Sequence, residues 1–275
     1  MSEVPATAAL VLRQWPGGAR KRFGQHFLAS DGVIERIVAA AGISPGDPVL
    51  EVGPGPGVLT AALVRAGAQV TAVELDRDCA SHVSALLPMV RVVQGDAASL
   101  DLGPLLPGSG WRCVSNLPYN VGTRILLRLL DHQPPLERLV LMLQREVALR
   151  LWAPPGDRAR GSLSVAVQAR AEVSRVCKVP PGAFLPPPKV ESAVVLLRPR
   201  TGEPVPAGLD AVLRAAFAAP RKTLRNNLRA AWGPAAEQAM ADAQVSPGAR
   251  PAELDLDAWL RLEAAARSTS ASGSG

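Results

Sequence analysis

One segment limits the possible folds of this chain more than any other. Residues 48–52 form an apolar run of strand length, Gly53, Gly55 and Gly57 follow at once, residues 58–66 repeat at helical spacing, and residues 69–73 are apolar again. The glycines let the backbone turn sharply, and Gly67 closes the helix. Strand, turn, helix and strand in this order are one βαβ unit.

The alternation continues, with strands expected at 90–93, 112–115 and 139–143 and helices at 123–130 and 145–152. Repeated crossovers imply an α/β domain whose mostly parallel sheet is covered by helices on both faces. Upstream, Val33, Ile34, Ile37, Val38 and Ala41 mark a helix that Asp31 is placed to cap and Gly42 to end. Pro16, Gly17 and Gly18 make residues 1–19 read as a flexible arm leading into the basic, aromatic cluster 20–28. Downstream, two apolar runs at 163–167 and 193–197, separated by the proline-rich stretch 179–188, are expected to pair antiparallel at the sheet edge. Composition shifts near Arg200: residues 201–206 resemble a linker, the chain from Leu209 is alanine-rich and helical, and a Ser/Gly tail follows Arg267. The expected division is an arm (1–19), an α/β domain (20–200), a small helical domain (201–267) and a disordered tail (268–275).

The length of 275 residues suits one such domain with a small appendage. Apolar residues make up 48%, yet no stretch approaches the roughly 18 needed for a membrane span, which excludes an integral helical membrane protein. Thirty Lys and Arg against 24 Asp and Glu favour a polyanionic partner but also suit a merely soluble basic protein. Cys79, Cys113 and Cys177 stand singly, and His26, His82 and His132 have no ligand spacing. Neither a disulfide framework nor a metal site is therefore expected. Residues 1–22 contain Glu3, Pro5 and Pro16 and do not read as a secretory signal, so a reducing, cytoplasmic location is expected.

The glycine turn alone is compatible with no ligand at all. It does not match the dinucleotide pattern Gly-x-Gly-x-x-Gly, because Val58 occupies the third glycine's place and Gly57 comes one residue early, which disfavours nicotinamide and flavin. Glu74 ends the second strand at the separation where an acidic side chain meets ribose hydroxyls, and Asp96 ends the third, where a carboxylate can accept from an adenine amino group. Adenosine-binding groups on successive strand ends, without a phosphate cradle, suggest S-adenosylmethionine. Asn116-Leu117-Pro118-Tyr119 follows the fourth strand. Elsewhere it would be an ordinary turn; here the Asn116 oxygen and a main-chain carbonyl, that of Leu117, can accept from an adenine N6 while Tyr119 offers a stacking face. Such acceptors favour the more tetrahedral nitrogen that methyl transfer requires.

These motifs resemble the KsgA-type small-subunit ribosomal RNA adenine dimethyltransferases. The resemblance covers residues 21 to about 264 and rests on Lys21-Arg-Phe-Gly-Gln25-His26-Phe-Leu28, Glu51-Val-Gly-Pro-Gly, Val73-Glu74-Leu-Asp76, Gly95-Asp96-Ala97, Asn116-Leu-Pro-Tyr119-Asn120, Phe184-Leu-Pro-Pro-Pro-Lys189-Val-Glu-Ser192 and Arg221-Lys-Thr-Leu-Arg-Asn-Asn-Leu228. It implies a Rossmann-like class I methyltransferase sheet with a small C-terminal helical domain. The implied reaction transfers methyl groups from S-adenosylmethionine to N6 of two adjacent adenosines near the 3′ end of small-subunit rRNA, carried out by a monomer on a nearly assembled subunit. By the same resemblance, His26 and Leu28 cover the methionine end of the cofactor and Gly53 and Gly55 lie beneath it. Glu74 holds ribose, Asp96 reads adenine, Leu75 and Ala97 complete the cofactor set, and Asn116 touches both cofactor and target. Phe184 would stack on the flipped adenine opposite Tyr119. Lys189, Arg221, Lys222 and Arg225 are the expected RNA contacts: residues 178–232 hold nine Lys or Arg against Glu191, Glu203 and Asp210. His26 stands where many relatives have Asn, and Ala219-Pro220 replaces a basic residue of the family run. The alternatives are a large-subunit adenine methylase of the macrolide-resistance type, a noncatalytic assembly factor of the same fold, and a DNA or small-molecule methyltransferase.

Overall fold

In a computed structural model, which describes residues 4–20 and 24–272, five strands run parallel. They are β2 (Pro48–Val52), β3 (Gln69–Glu74), β4 (Arg91–Gln94), β5 (Arg112–Asn116) and β6 (Arg138–Gln144). With β7 (Ala171–Val179) and β9 (Ser192–Pro199) they form a seven-stranded sheet in the order β4-β3-β2-β5-β6-β9-β7, in which β9 lies antiparallel to β6. The chain builds outward from β2 to β4 and then crosses back to lay β5 against the other side of β2. That reversal opens a crevice at the carboxyl ends of β2 and β5. Val49, Leu50, Cys113, Val114 and Leu139 are fully buried, as strands covered on both faces require. A separate two-stranded ribbon pairs β1 (Phe27–Leu28) with β8 (Phe184–Leu185).

The crossover helices are α3 (Val58–Arg65), α4 (Arg77–Leu86) and α5 (Gly122–Leu130), preceded by α2 (Asp31–Ala41) and joined by α6 (Arg145–Leu151). The βαβ unit lies within one residue of its expected bounds. Asp31 does not cap α2: Ser30 holds the N-cap position, and the Asp31 carboxylate accepts from the Ala8 amide at 2.7 Å. Lys21, Arg22 and Phe23, which open the first family motif, lie outside the described residues.

Three expectations are corrected. Residues 8–14 of the supposed arm form α1 (Ala8–Gln14), capped by Thr7, with Ala8 and Val11 buried in the main core. The apolar run 163–167 is not a strand but the centre of α7 (Ser162–Arg170), buried along Ser164–Val167. A short helix buried nearly all round shows the same unbroken apolar run as a buried strand. The run at 193–197 is β9, whose partner is β6, and the true edge strand is β7. Finally, α11 (Leu256–Ser272) continues through residues expected to be a disordered tail.

The chain divides into two compact units, residues 1–148 with 172–199, and residues 149–171 with 200–275. The second unit contains α7, α8 (Leu209–Ala216), α9 (Leu224–Trp232), α10 (Ala235–Asp242) and α11. It resumes where the composition changes near Arg200 but also claims 149–171, which sequence composition did not separate from the α/β domain. The reason is polar as well as apolar. The buried Arg160 guanidinium donates to the carbonyls of Ala153 (2.7 Å) and Leu254 (3.1 Å) and to Gln168 Oε1 (2.7 Å), and Arg170 pairs with Asp210 at 2.9 Å. Pro220 lies in the break between α8 and α9, and Thr223 caps the latter.

Candidate active site

The strand ends of the first unit surround an open cavity lined by Gly24–Leu28, Glu51–Pro56, Val73–Leu75, Gly95–Ala97 and Asn116–Val121, among others. Its floor is the turn after β2. Gly53 and Gly55 take φ of +69° and +56°, the left-handed region that other residues enter at a cost, and a Cβ on Gly55 would lie 3.1 Å from the Phe27 ring. A side chain at Gly55 would meet both penalties.

Glu74 ties this turn to the next strand end. Its Oε2 accepts from the Gly55 amide at 2.9 Å and its Oε1 from the Asp76 amide at 2.8 Å. Burial raises its carboxyl above the ordinary range, and those amides pull it back. Each oxygen retains a lone pair for a further donor. Asp96 is half-buried, its Oδ1 accepting from Ala98 N at 2.8 Å, and beside it Leu75 is 51% exposed, an apolar surface on the wall of the cavity. Ala97 and Leu28 are buried lining residues.

The opposite wall comes from residues far earlier in sequence. Asp76 is buried, and its carboxylate pairs with Arg20 at 2.7 Å and accepts from Gln25 Nε2 at 3.0 Å, which anchors the segment leading to His26–Leu28. The main-chain carbonyl of His26 accepts from Asn116 Nδ2 at 3.2 Å. A carbonyl can only accept, so this bond fixes which end of the Asn116 amide is nitrogen. Asn116 Oδ1 is buried without a partner among the described residues. Leu117 also lines the cavity, though its side chain is buried, and its amide donates to Met142 O at 3.2 Å. The Tyr119 hydroxyl shares a 2.6 Å hydrogen bond with Ser192 Oγ, and the His26 ring stacks on Tyr119 with centroids 5.8 Å apart and planes at 25°.

Phe184 is the one expected catalytic or cofactor residue outside this constellation. It is 2% exposed and does not line the cavity: register with β1 sets it opposite Leu28 and turns it into the core, while its neighbour Leu185 is 60% exposed. Two residues without an assigned role do belong. Ser192 stood in a motif with no signal of its purpose. Glu51 carried one, a carboxylate inside an apolar strand: it is 1% exposed, lines the cavity and leaves Oε2 without a partner. Cys79 and Cys113 are no nucleophiles, since burial pushes both thiols to about 12. Among the described residues, no three His, Cys, Asp or Glu side chains converge as a metal-binding group.

Of the expected RNA contacts, Lys189 is exposed in the first unit. Arg221, Lys222 and Arg225 are exposed in the second, where Arg225 pairs with Glu237 at 3.0 Å.

Residues 18–267 match the sequence pattern of the family described as ribosomal RNA adenine dimethylase. The chain is 44% identical over 261 residues to the ribosomal RNA small subunit methyltransferase A of Synechococcus elongatus, covering 89% of this chain and 94% of that one. It is 43% identical to the same-named protein of Pseudomonas aeruginosa, over 89% and 93%. Among solved structures, a dimethyladenosine transferase from Plasmodium falciparum superposes with a TM-score of 0.74 at 26% identity, covering 89% of this chain and 98% of its own. The 23S rRNA methyltransferase ErmE does so with 0.65 at 28%, covering 88% and 99%.

Proposed function

The chain belongs to the ribosomal RNA adenine dimethylase family, and on that premise we propose how its residues carry out the reaction. It is an RNA adenine dimethyltransferase that uses S-adenosylmethionine. Its target, we infer, is N6 of two adjacent adenosines near the 3′ end of small-subunit rRNA, reached by a monomer in the cytoplasm on a nearly assembled subunit.

The residues present suit this cofactor. Glu74 and Asp96 offer acceptors where ribose and adenine would lie, Leu75 offers an apolar face, and the glycine turn removes side chains from beneath the ligand. When bound, S-adenosylmethionine supplies an electrophilic methyl on a sulfonium that leaves as a neutral thioether. His26 and Leu28 close over its methionine end. The observation that carries the catalytic reading is the orphaned Asn116 Oδ1, an acceptor fixed in orientation by the His26 carbonyl and left without a partner among the described residues. A buried acceptor without a donor is costly, and an amine N6–H would satisfy it. Together with the Leu117 carbonyl it draws both N6 hydrogens to one side, so the nitrogen lone pair points at the methyl, while Tyr119 stacks on the base.

Methyl transfer from radiolabelled cofactor to small subunits, large subunits and naked RNA, all taken from cells lacking the enzyme, tests the reading. Dimethyladenosine is expected in small subunits, and N116A is expected to lower the rate by about 100-fold or more. Label confined to large subunits would place the enzyme with the macrolide-resistance methylases. Unaltered transfer by N116A would remove that residue from the mechanism.

A further inference from the structure

Ser192 is the first residue of β9, and β9 is the sheet strand that runs antiparallel to β6. The direction matters. In a parallel sheet the ligand end holds only the carboxyl ends of strands, whereas an antiparallel neighbour brings its beginning there. Ser192 lies opposite Gln144, the last residue of β6, and its side chain is fully buried. The hydroxyl meets the Tyr119 hydroxyl at 2.6 Å. The phenol is thus tied down at its far end. One face of the same ring is covered by His26, whose Nδ1 lies 2.8 Å from the carbonyl of Pro186 and so carries the proton. A base stacked on Tyr119 would lie on the face turned away from His26.

We propose that Ser192 is a positioning residue for methyl transfer: by holding the Tyr119 hydroxyl it fixes the plane on which the target adenine stacks. The proposal rests on the adenine-methylating reading of the cavity. Released from Ser192, the ring can turn about its side-chain bonds, and the base it supports leaves the in-line geometry more often. The second methyl transfer should suffer more than the first, because a monomethylated N6 has one hydrogen fewer for the acceptors and depends more on the stacking plane.

The test joins kinetics to a signal that needs no activity. Tyr119 is the only tyrosine in the chain, so the ultraviolet absorbance of tyrosinate reports it alone. Burial raises its phenol and the Ser192 bond lowers it, so S192A should move its ionisation further up. In steady-state assays S192A and Y119F should each lower kcat about three- to tenfold with KM for the cofactor unchanged, and shift product toward monomethyladenosine. The double variant should be no slower than either single one, because both remove the same bond. Independent, multiplying losses, or an S192A protein with wild-type kcat and an unmoved tyrosine signal, would overturn the proposal. Inactivity of the wild-type protein on every RNA would instead sink the reading on which it rests, and the tyrosine titration would still decide whether the bond exists.

Discussion

Glu51 is the fourth residue of β2, whose other members are all apolar, and its position makes a pH-dependent prediction. Burial raises its carboxyl from 4.5 to about 8, and the charge of Glu74 pushes the same way. In the folded chain the group holds its proton at neutral pH; in the unfolded chain it does not. The folded state thus binds the extra proton, so its stability is fully present below about pH 4.5 and is lost as pH rises toward about 8. E51Q keeps the shape and removes the titration. Without cofactor, the variant should gain on the wild type steadily across that window, by on the order of a few kcal/mol at its upper end. Thermal unfolding of both proteins between about pH 5 and about pH 8.5 measures the difference, and parallel stability curves would refute it.

The elements differ in how openly the sequence displays them, and the differences have physical causes. The βαβ unit is legible because parallel strands buried on both faces must be apolar throughout, and because the turn needs glycine. Asn116, Glu74 and Asp96 are legible as a site because strand ends collect ligands, a rule of topology that needs no contact map. The direction of Phe184 was hidden, since a one-residue change in its register with β1 would have turned it outward, as Leu185 is turned. The edge strand β7 was hidden by Glu172, Arg175 and Lys178, charges that suit an edge and erase its apolar signal. α1 was hidden by its length of seven residues, too few to hold a helix without tertiary support. That support comes from the core beneath Ala8 and Val11, and from Trp15, whose ring meets those of Phe27 at 6.4 Å and His82 at 5.1 Å. Val11 is 1% exposed and Leu10 43%. V11D should therefore destabilise the protein by about 2–4 kcal/mol and L10D by less than about 0.5 kcal/mol, as denaturant unfolding would show. V11D should also weaken cofactor binding, because Trp15, which ends α1, packs its ring on Phe27 of the cavity wall; equal effects of the two variants would mean that α1 bears no weight.

At the scale of the whole molecule, the cavity and three of the four expected RNA contacts belong to different units. The candidate active-site cavity lies within the first and Arg221, Lys222 and Arg225 lie in the second; the basic stretch 178–232, whose surplus equals the chain's net charge of +6, begins in the first unit and runs into the second. A helical unit with no cavity residue of its own fits the task of gripping a polyanion, and that task has a thermodynamic signature. Each phosphate contact releases counterions, so RNA affinity falls linearly with the logarithm of salt concentration, and each contact removed makes the slope shallower by about 0.7–0.9. The three residues should not contribute equally. Arg221 and Lys222 are exposed, whereas Arg225 already faces Glu237, and a cation neutralised within the protein displaces fewer ions when RNA arrives. R221Q and K222Q should each flatten the salt dependence by close to one unit, with R225Q changing it by clearly less. E237Q should do the reverse, freeing Arg225 and steepening the slope. Titration of a small-subunit RNA fragment at four or five salt concentrations resolves these differences. Slopes that none of the four variants moves would assign the RNA grip to other residues, and a larger change for R225Q than for R221Q would show that the Glu237 pair breaks when RNA binds.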